Sequence, residues 1–183
     1  LIFPIADLSG RVIAFGGRVI DPEDEPKYIN SSDSAVYKKG DHLYGLGQAR
    51  KAMTQTRAGL LTEGYMDVLT LHQFGFENAC GVLGTALTEN QIKRLSGFCN
   101  EVVLLFDGDG AGRKAALRSA EMFLLKGLKC RVALMPEGQD VDDLLRSSGP
   151  EALQELIDKA PEGLDYSLET VRSSRSPMDM LDW

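Results

Sequence analysis

Asp107 and Asp109 stand two residues apart in the glycine-rich turn FDGDGAG (Phe106 to Gly112). Glu63 in TEGYMD, and Asp140, Asp142 and Asp143 in GQDVDD, are further acids that follow short apolar segments. Two bare carboxylates about 4 Å apart repel by roughly 4 kcal/mol at an effective dielectric near 20. If these acids converge, they need either protons or divalent cations to persist. Oxygen ligands with no neighbouring His or Cys point to Mg²⁺ or Mn²⁺. Metals held this way serve phosphoryl or nucleotidyl transfer, activating the attacking oxygen and stabilising the leaving phosphate.

The elements that must position these acids are visible in the apolar pattern. Val102 to Phe106 is a continuous apolar run, which predicts a parallel strand covered on both faces. Gly108, Gly110 and Gly112 predict a sharp turn, with a helix from Arg113 in RKAALRSAEMFLLKG. From Ala58 onward the rhythm is strand then helix. Strands are expected at 59–62, 79–83 and 129–135, and helices at 65–74, 88–95 (capped by Thr88), 151–159 and 166–172. Alternation at this spacing implies a mostly parallel sheet with helices on both faces, whose carboxyl edge is the usual ligand edge. Residues 1–57 lack that rhythm. LIFPI, RVIAFGG and KYIN read as a small antiparallel or mixed β unit, followed by a helix over 43–56. The expected organisation is therefore a β-rich unit at 1–57, an α/β unit carrying the acids at 58–147, and C-terminal helices with a polar tail at 148–183.

Composition narrows the class. The chain has 183 residues, is 43% hydrophobic and 26% charged, and can bury a sizeable core. It has no apolar run of transmembrane length and no signal-peptide pattern, and it opens without Met, so a soluble part of a longer cytoplasmic protein is expected. Cys80, Cys99 and Cys130 form no C-x-x-C pair, which argues against a zinc site in this stretch and fits a reducing cytosol. A net charge of −7 argues at first against a nucleic-acid partner. Residues 1–57 are near neutral, however, and acids that hold cations make bulk charge a poor guide.

Rival readings of the same acids are weaker. Any single Asp at a strand end is more often a turn former or helix cap, so the conjunction carries the reading. A calcium loop counted from Asp107 would need Glu at its twelfth position, where Arg118 stands. No phosphate-binding G-x-x-x-x-G-K-[ST] loop is present. His42 and His72 have no partners at ligand spacing. FDGDG is similar to the nucleophile loop of haloacid-dehalogenase-type phosphatases, but Ala111 stands where that family has Thr or Val, and its loop follows the first strand of the domain.

Glu63-Gly64, Gly84-Thr85 and Asp107-Gly108-Asp109 with Ala111-Gly112 together resemble a Toprim domain, a fold shared by bacterial primases, topoisomerases and some nucleases. FPIADLSGRVIAFGGR (Phe3 to Arg18), KYINS (Lys27 to Ser31), YKKGDHLYGL (Tyr37 to Leu46), EGYMDV (Glu63 to Val68) and LGTALT (Leu83 to Thr88) narrow the resemblance to the RNA-polymerase core of bacterial replicative DNA primases. That resemblance covers most of residues 1–160. It implies synthesis of short RNA primers on single-stranded DNA from ribonucleoside triphosphates, with two or more Mg²⁺ or Mn²⁺ ions. It also implies that Glu63, Asp107, Asp109, Asp140 and Asp142 are the metal-site residues, the first three catalytic, with Asp67 and Asp143 in support. Arg18, Lys27, Asn30, Ser31 and Lys39 would contact template or nucleotide. Implied partners are the template, the nucleotides, the nascent primer, and a replicative helicase and single-strand-binding protein through regions outside this stretch. A monomer is expected. Val141 and Ser32 stand where the family commonly has proline. A nuclease, a topoisomerase part or a non-catalytic nucleic-acid-binding module are the alternatives.

Overall fold

The structure is a computed structural model that describes residues 1–174 apart from Pro22, Asp24 and Thr85. The polar tail expected beyond Arg172 lies almost wholly outside the described residues. Two sheets organise the chain. Strands β1 (Ile2–Ala6), β2 (Val12–Arg18) and β3 (Tyr28–Asn30) form an antiparallel sheet in the order β1-β2-β3. Strands β4 (Ala58–Thr62), β5 (Ala79–Gly81), β6 (Glu101–Phe106) and β7 (Lys129–Leu134) form a parallel sheet in the order β5-β4-β6-β7. The helices are α1 (Leu46–Thr56), α2 (Tyr65–Gln73), α3 (Glu89–Leu95), α4 (Gly110–Lys126), α5 (Val141–Lys159) and α6 (Gly163–Ser174).

Strand β6 shows why the sheet is covered on both faces. Its alternate residues enter two different cores: Val102, Leu104 and Phe106 pack with residues of α1, α3 and α4, while Val103 and Leu105 pack with α2 and α5. All five are buried, as a continuous apolar run requires. Cys80, Cys99 and Cys130 are buried in the first of these cores, and burial raises all three thiols, that of Cys99 to about 11. They act as small apolar groups. Among the described residues no helix is long and apolar enough to cross a membrane.

Several boundaries differ from the sequence expectation. Helix α4 begins at Gly110, not Arg113, because the Asp109 carboxylate accepts the Gly112 amide at 2.7 Å and caps a turn that glycine alone would leave loose. The first helix begins at Leu46, after Tyr44 exchanges two hydrogen bonds with Gly81 at the edge of the parallel sheet. Through Leu46, Ala49 and Met53, α1 then joins the core of that sheet. Helix α5 runs across the expected boundary near residue 147, with its break at Gly149, where φ is 81°, followed by Pro150. The Thr88 cap is as expected: its hydroxyl accepts the Gln91 amide, and the Gln91 side chain accepts the Thr88 amide.

The two sheets meet over α2. Phe3, Ile5 and Ala14 from the antiparallel sheet pack with Tyr37, Tyr65 and Leu83. The Tyr65 ring stacks on Phe3 at 5.0 Å and meets Tyr44 edge-on at 4.8 Å. Gly16 lets β2 lie on that ring, since a Cβ there would fall 2.5 Å from the Tyr65 ring carbon Cζ. Packing of this kind places the end of β2 and all of β3 over the carboxyl edge of the parallel sheet.

Candidate active site

Strand ends β4 and β6 are neighbours in the parallel sheet, as are β6 and β7, so Glu63, Asp107 and Asp140 arrive at one edge. A cleft of about 270 Å³ there is lined by Glu63, Asp67, Asp107 and Asp140 below and by Arg18, Lys27, Tyr28 and Asn30 above. The β6 turn holds its shape through a close backbone approach. A Cβ at Gly108 would meet the Met135 carbonyl oxygen at 2.1 Å, which only glycine avoids. Arg113, from the first turn of α4, donates through Nε to the Gly108 carbonyl at 3.0 Å and braces the same turn.

The acids are not equivalent. Burial raises the Glu63 carboxyl above the usual range, and Asp107 and Asp109 raise it further. Its Oε1 is out of solvent contact and has no hydrogen-bond partner among the described residues. Asp107 is likewise raised by burial and then by Asp140 and Asp109. Asp67 is pushed up to about 7 by burial, with Asp140 and Asp107 adding to it and the Gly64 amide, 3.2 Å away, opposing it. Asp109 and Asp140 serve as caps, Asp109 for α4 and Asp140 for α5, whose Asp143 amide it accepts at 2.8 Å. Asp142 is the exception. It accepts from Arg146 Nε at 2.7 Å and from the Thr70 hydroxyl, and its carboxyl is held below the usual range, chiefly by Arg146.

On the opposite wall the Arg18 guanidinium lies over the Tyr28 ring, 5.4 Å from its centre. Among the described residues no ion pair joins Arg18 or Lys27 to a carboxylate of the cleft. Among the described residues, opposite charges therefore face each other across a gap that no ion pair bridges. Asn30 lines the cleft but also ties the sheets together, donating to the Leu83 carbonyl at 3.2 Å and accepting from the Tyr65 hydroxyl. Ser31 and Lys39 lie elsewhere. The Ser31 hydroxyl bonds the Phe15 backbone, and Lys39 uses its own backbone to reach Asp33 and Gln91. His42 and His72 each face a backbone carbonyl, of Lys38 and Ala79 respectively. Tyr28 escapes the sequence reading, although it lies inside the word KYINS between Lys27 and Asn30. Its signal was its place between two residues already singled out.

The residues present fit a hard divalent cation. An unpartnered carboxylate oxygen and acids that raise one another's affinity for protons are what a missing positive charge produces. Among the described residues no three acidic, His or Cys side chains are gathered tightly enough to hold an ion by themselves. Mg²⁺ does not need three, since it keeps several waters and takes one or two carboxylates together with substrate phosphates.

Comparison with known proteins bears on this geometry. Residues 1–50 match the family described as the DNA primase catalytic core, N-terminal domain, and residues 60–145 match the Toprim-like family. The chain is 42% identical over 174 residues to the DNA primase of Aquifex aeolicus, covering 95% of this chain and 35% of that protein. A DNA primase domain from Pseudomonas aeruginosa superposes with a TM-score of 0.90 at 42% identity, over 96% of this chain and 56% of the other. The catalytic domain of a DnaG primase bound to single-stranded DNA superposes with a TM-score of 0.87 at 38% identity, over 96% and 57% of the two chains. The chain spans 28–35% of the length of the first curated relatives it matches. With both family matches in place and about 40% identity over nearly its whole length, the chain belongs to the catalytic-core family of the bacterial DNA primases.

Proposed function

We propose that the cleft carries out template-directed nucleotidyl transfer, joining ribonucleotides into short RNA primers on single-stranded DNA. The observation that carries this reading is the meeting, in one cleft, of half-buried acids, outside any ion pair among the described residues, with Arg18 and Lys27, which leaves a gap suited to a triphosphate and its cations. Glu63, Asp107, Asp109, Asp140 and Asp142 would hold Mg²⁺ or Mn²⁺. Bound there, such an ion would supply Lewis-acid activation of an attacking 3′ oxygen and compensation of the charge on departing pyrophosphate. The chain's own side chains do the rest. Arg18 and Lys27 attract and orient the triphosphate from the antiparallel sheet, and the Arg18–Tyr28 pair gives that wall a flat, charged surface. Glu63, at the end of β4 with one buried oxygen free, is placed to accept a proton or an ion at the reacting centre.

Template-dependent RNA synthesis from labelled ribonucleotides, with Mg²⁺ or Mn²⁺ and an Asp107→Asn control, tests the proposal. Short products that need template and vanish in the control support it. Products that persist undiminished in Asp107→Asn would remove the assignment of this cleft. Lys39 and Ser31, placed outside the cleft, are proposed only as contacts for nucleic acid leaving it.

A further inference from the structure

We propose that Arg146 is a built-in counter-ion that a divalent cation must displace from Asp142, while Thr70 holds the carboxylate in place during the exchange. The inference rests on the reading above, in which Asp142 belongs to the metal site. Among the described residues, Asp142 is the one acid of that set in an ion pair. Its two oxygens have partners of opposite character. Oδ1 accepts from the hydroxyl of Thr70, a residue of α2 that is only 2% exposed and 72 positions away in sequence. Oδ2 accepts from Arg146 Nε at 2.7 Å, and the Arg146 side chain is 58% exposed. One partner is anchored in the α2–α5 contact. The other is a solvated arm that can swing into water at little cost, because exposed ion pairs of this kind are weak. Releasing it frees Oδ2 without moving the carboxylate.

The ordinary reading of Arg146–Asp142 is a helix-surface pair at i, i+4 spacing, which would change helix stability slightly and nothing else. The Thr70 bond distinguishes the two, since it fixes Asp142 to the helix that starts beside Glu63. Arg146 therefore sets a threshold concentration for cation binding, and Thr70 is a positioning residue.

Mn²⁺ binding to the full chain, followed by the electron paramagnetic resonance signal of free Mn²⁺ without nucleotide or DNA, tests this. Arg146→Gln is expected to bind Mn²⁺ about fivefold more tightly, the factor matching the upper end for an exposed pair. Arg146→Lys keeps the charge but not the planar fork and should give a gain of about twofold. Thr70→Val should bind more weakly than the parent. In an Asp142→Asn background the Arg146→Gln gain should disappear. Arg146 variants that bind equally or more weakly, or a gain that survives Asp142→Asn, would overturn the inference, and the Lys variant decides if the Gln variant does not fold. No Mn²⁺ binding by the parent chain would remove the metal reading and this inference with it, whereas binding indifferent to Arg146 removes only the inference.

Discussion

Helices α2 and α5 begin alike and their acids end in opposite states. In α2 the third residue, Asp67, reaches back to the Gly64 amide, and in α5 Asp143 occupies the same position relative to Asp140. Both carboxylates reach back over the first turn at the carboxyl edge of one sheet, but only in α5 does the N-cap side chain return the bond, since Gly64 has none. Yet Asp67, desolvated and close to Asp140 and Asp107, is pushed up to about 7, while Asp142, one residue before Asp143, is held low by Arg146. The local motif sets where a carboxylate points. Burial and the nearest opposite charge set whether it is ionised. On the α2 side the fold therefore tolerates strain that a cation would relieve, and on the α5 side it supplies the cation itself.

The largest expected effect separates function from stability on the α2 side. Glu63→Gln should lower primer synthesis by at least about a hundredfold, roughly 3 kcal/mol of transition-state stabilisation. In the same variant the thermal midpoint measured in EDTA should rise, because a buried, unpaired charge is removed. A drop in both would mean that Glu63 is structural.

Next comes the pH dependence of the metal-free protein. Asp67 binds its proton more tightly folded than unfolded, so stability is greatest at low pH and falls as pH rises from about 4 through about 7. After allowance for the solvent that reaches the site, the loss should be about 2 kcal/mol, and Asp67→Asn should flatten it. Asp142 has the opposite sign, its contribution being present above the ordinary carboxylate range and lost only as pH falls below it. In EDTA, denaturant midpoints below pH 4 check the sign for Asp142, and those between pH 4 and pH 8 check that for Asp67. A parent chain that gains stability over this interval contradicts the account of Asp67.

Arg18→Gln sharpens the contrast from the other wall. The KM for ribonucleotides should rise about tenfold, with less change in kcat, and the effect should shrink at high salt. An unchanged KM would remove Arg18 from the nucleotide path. The smallest effect is expected at the hinge between the walls. Tyr65→Phe removes the hydroxyl that bonds Asn30 and should cost about 1 kcal/mol of stability, read from urea unfolding.

Much of this arrangement was legible before any coordinates. The run Val102 to Phe106 predicts a strand buried on both faces, and its residues do divide between two cores. Thr88 with Gln91 predicts a capped helix and makes one. The start of α4 was misread because three glycines argue against helix. Intrinsic propensity lost there to a single carboxylate, that of Asp109, which caps the turn. Tyr28 was missed because an aromatic residue in a short strand reads as packing, and only the docking of β3 over the acids turns its ring toward a charged cleft.

The sequence by itself determined the alternation of strands and helices, the family, and the acids that follow β4, β6 and β7. These follow from periodicity and from short words whose residues are neighbours along the chain. Only the tertiary structure decided which of those acids is buried and which is paired. Glu63 and Asp107 meet because β4 and β6 are adjacent, and Thr70 meets Asp142 because α2 packs on α5. The electrostatic state of a carboxylate depends on desolvation and on charges within a few ångströms, and those neighbours come from distant parts of the chain.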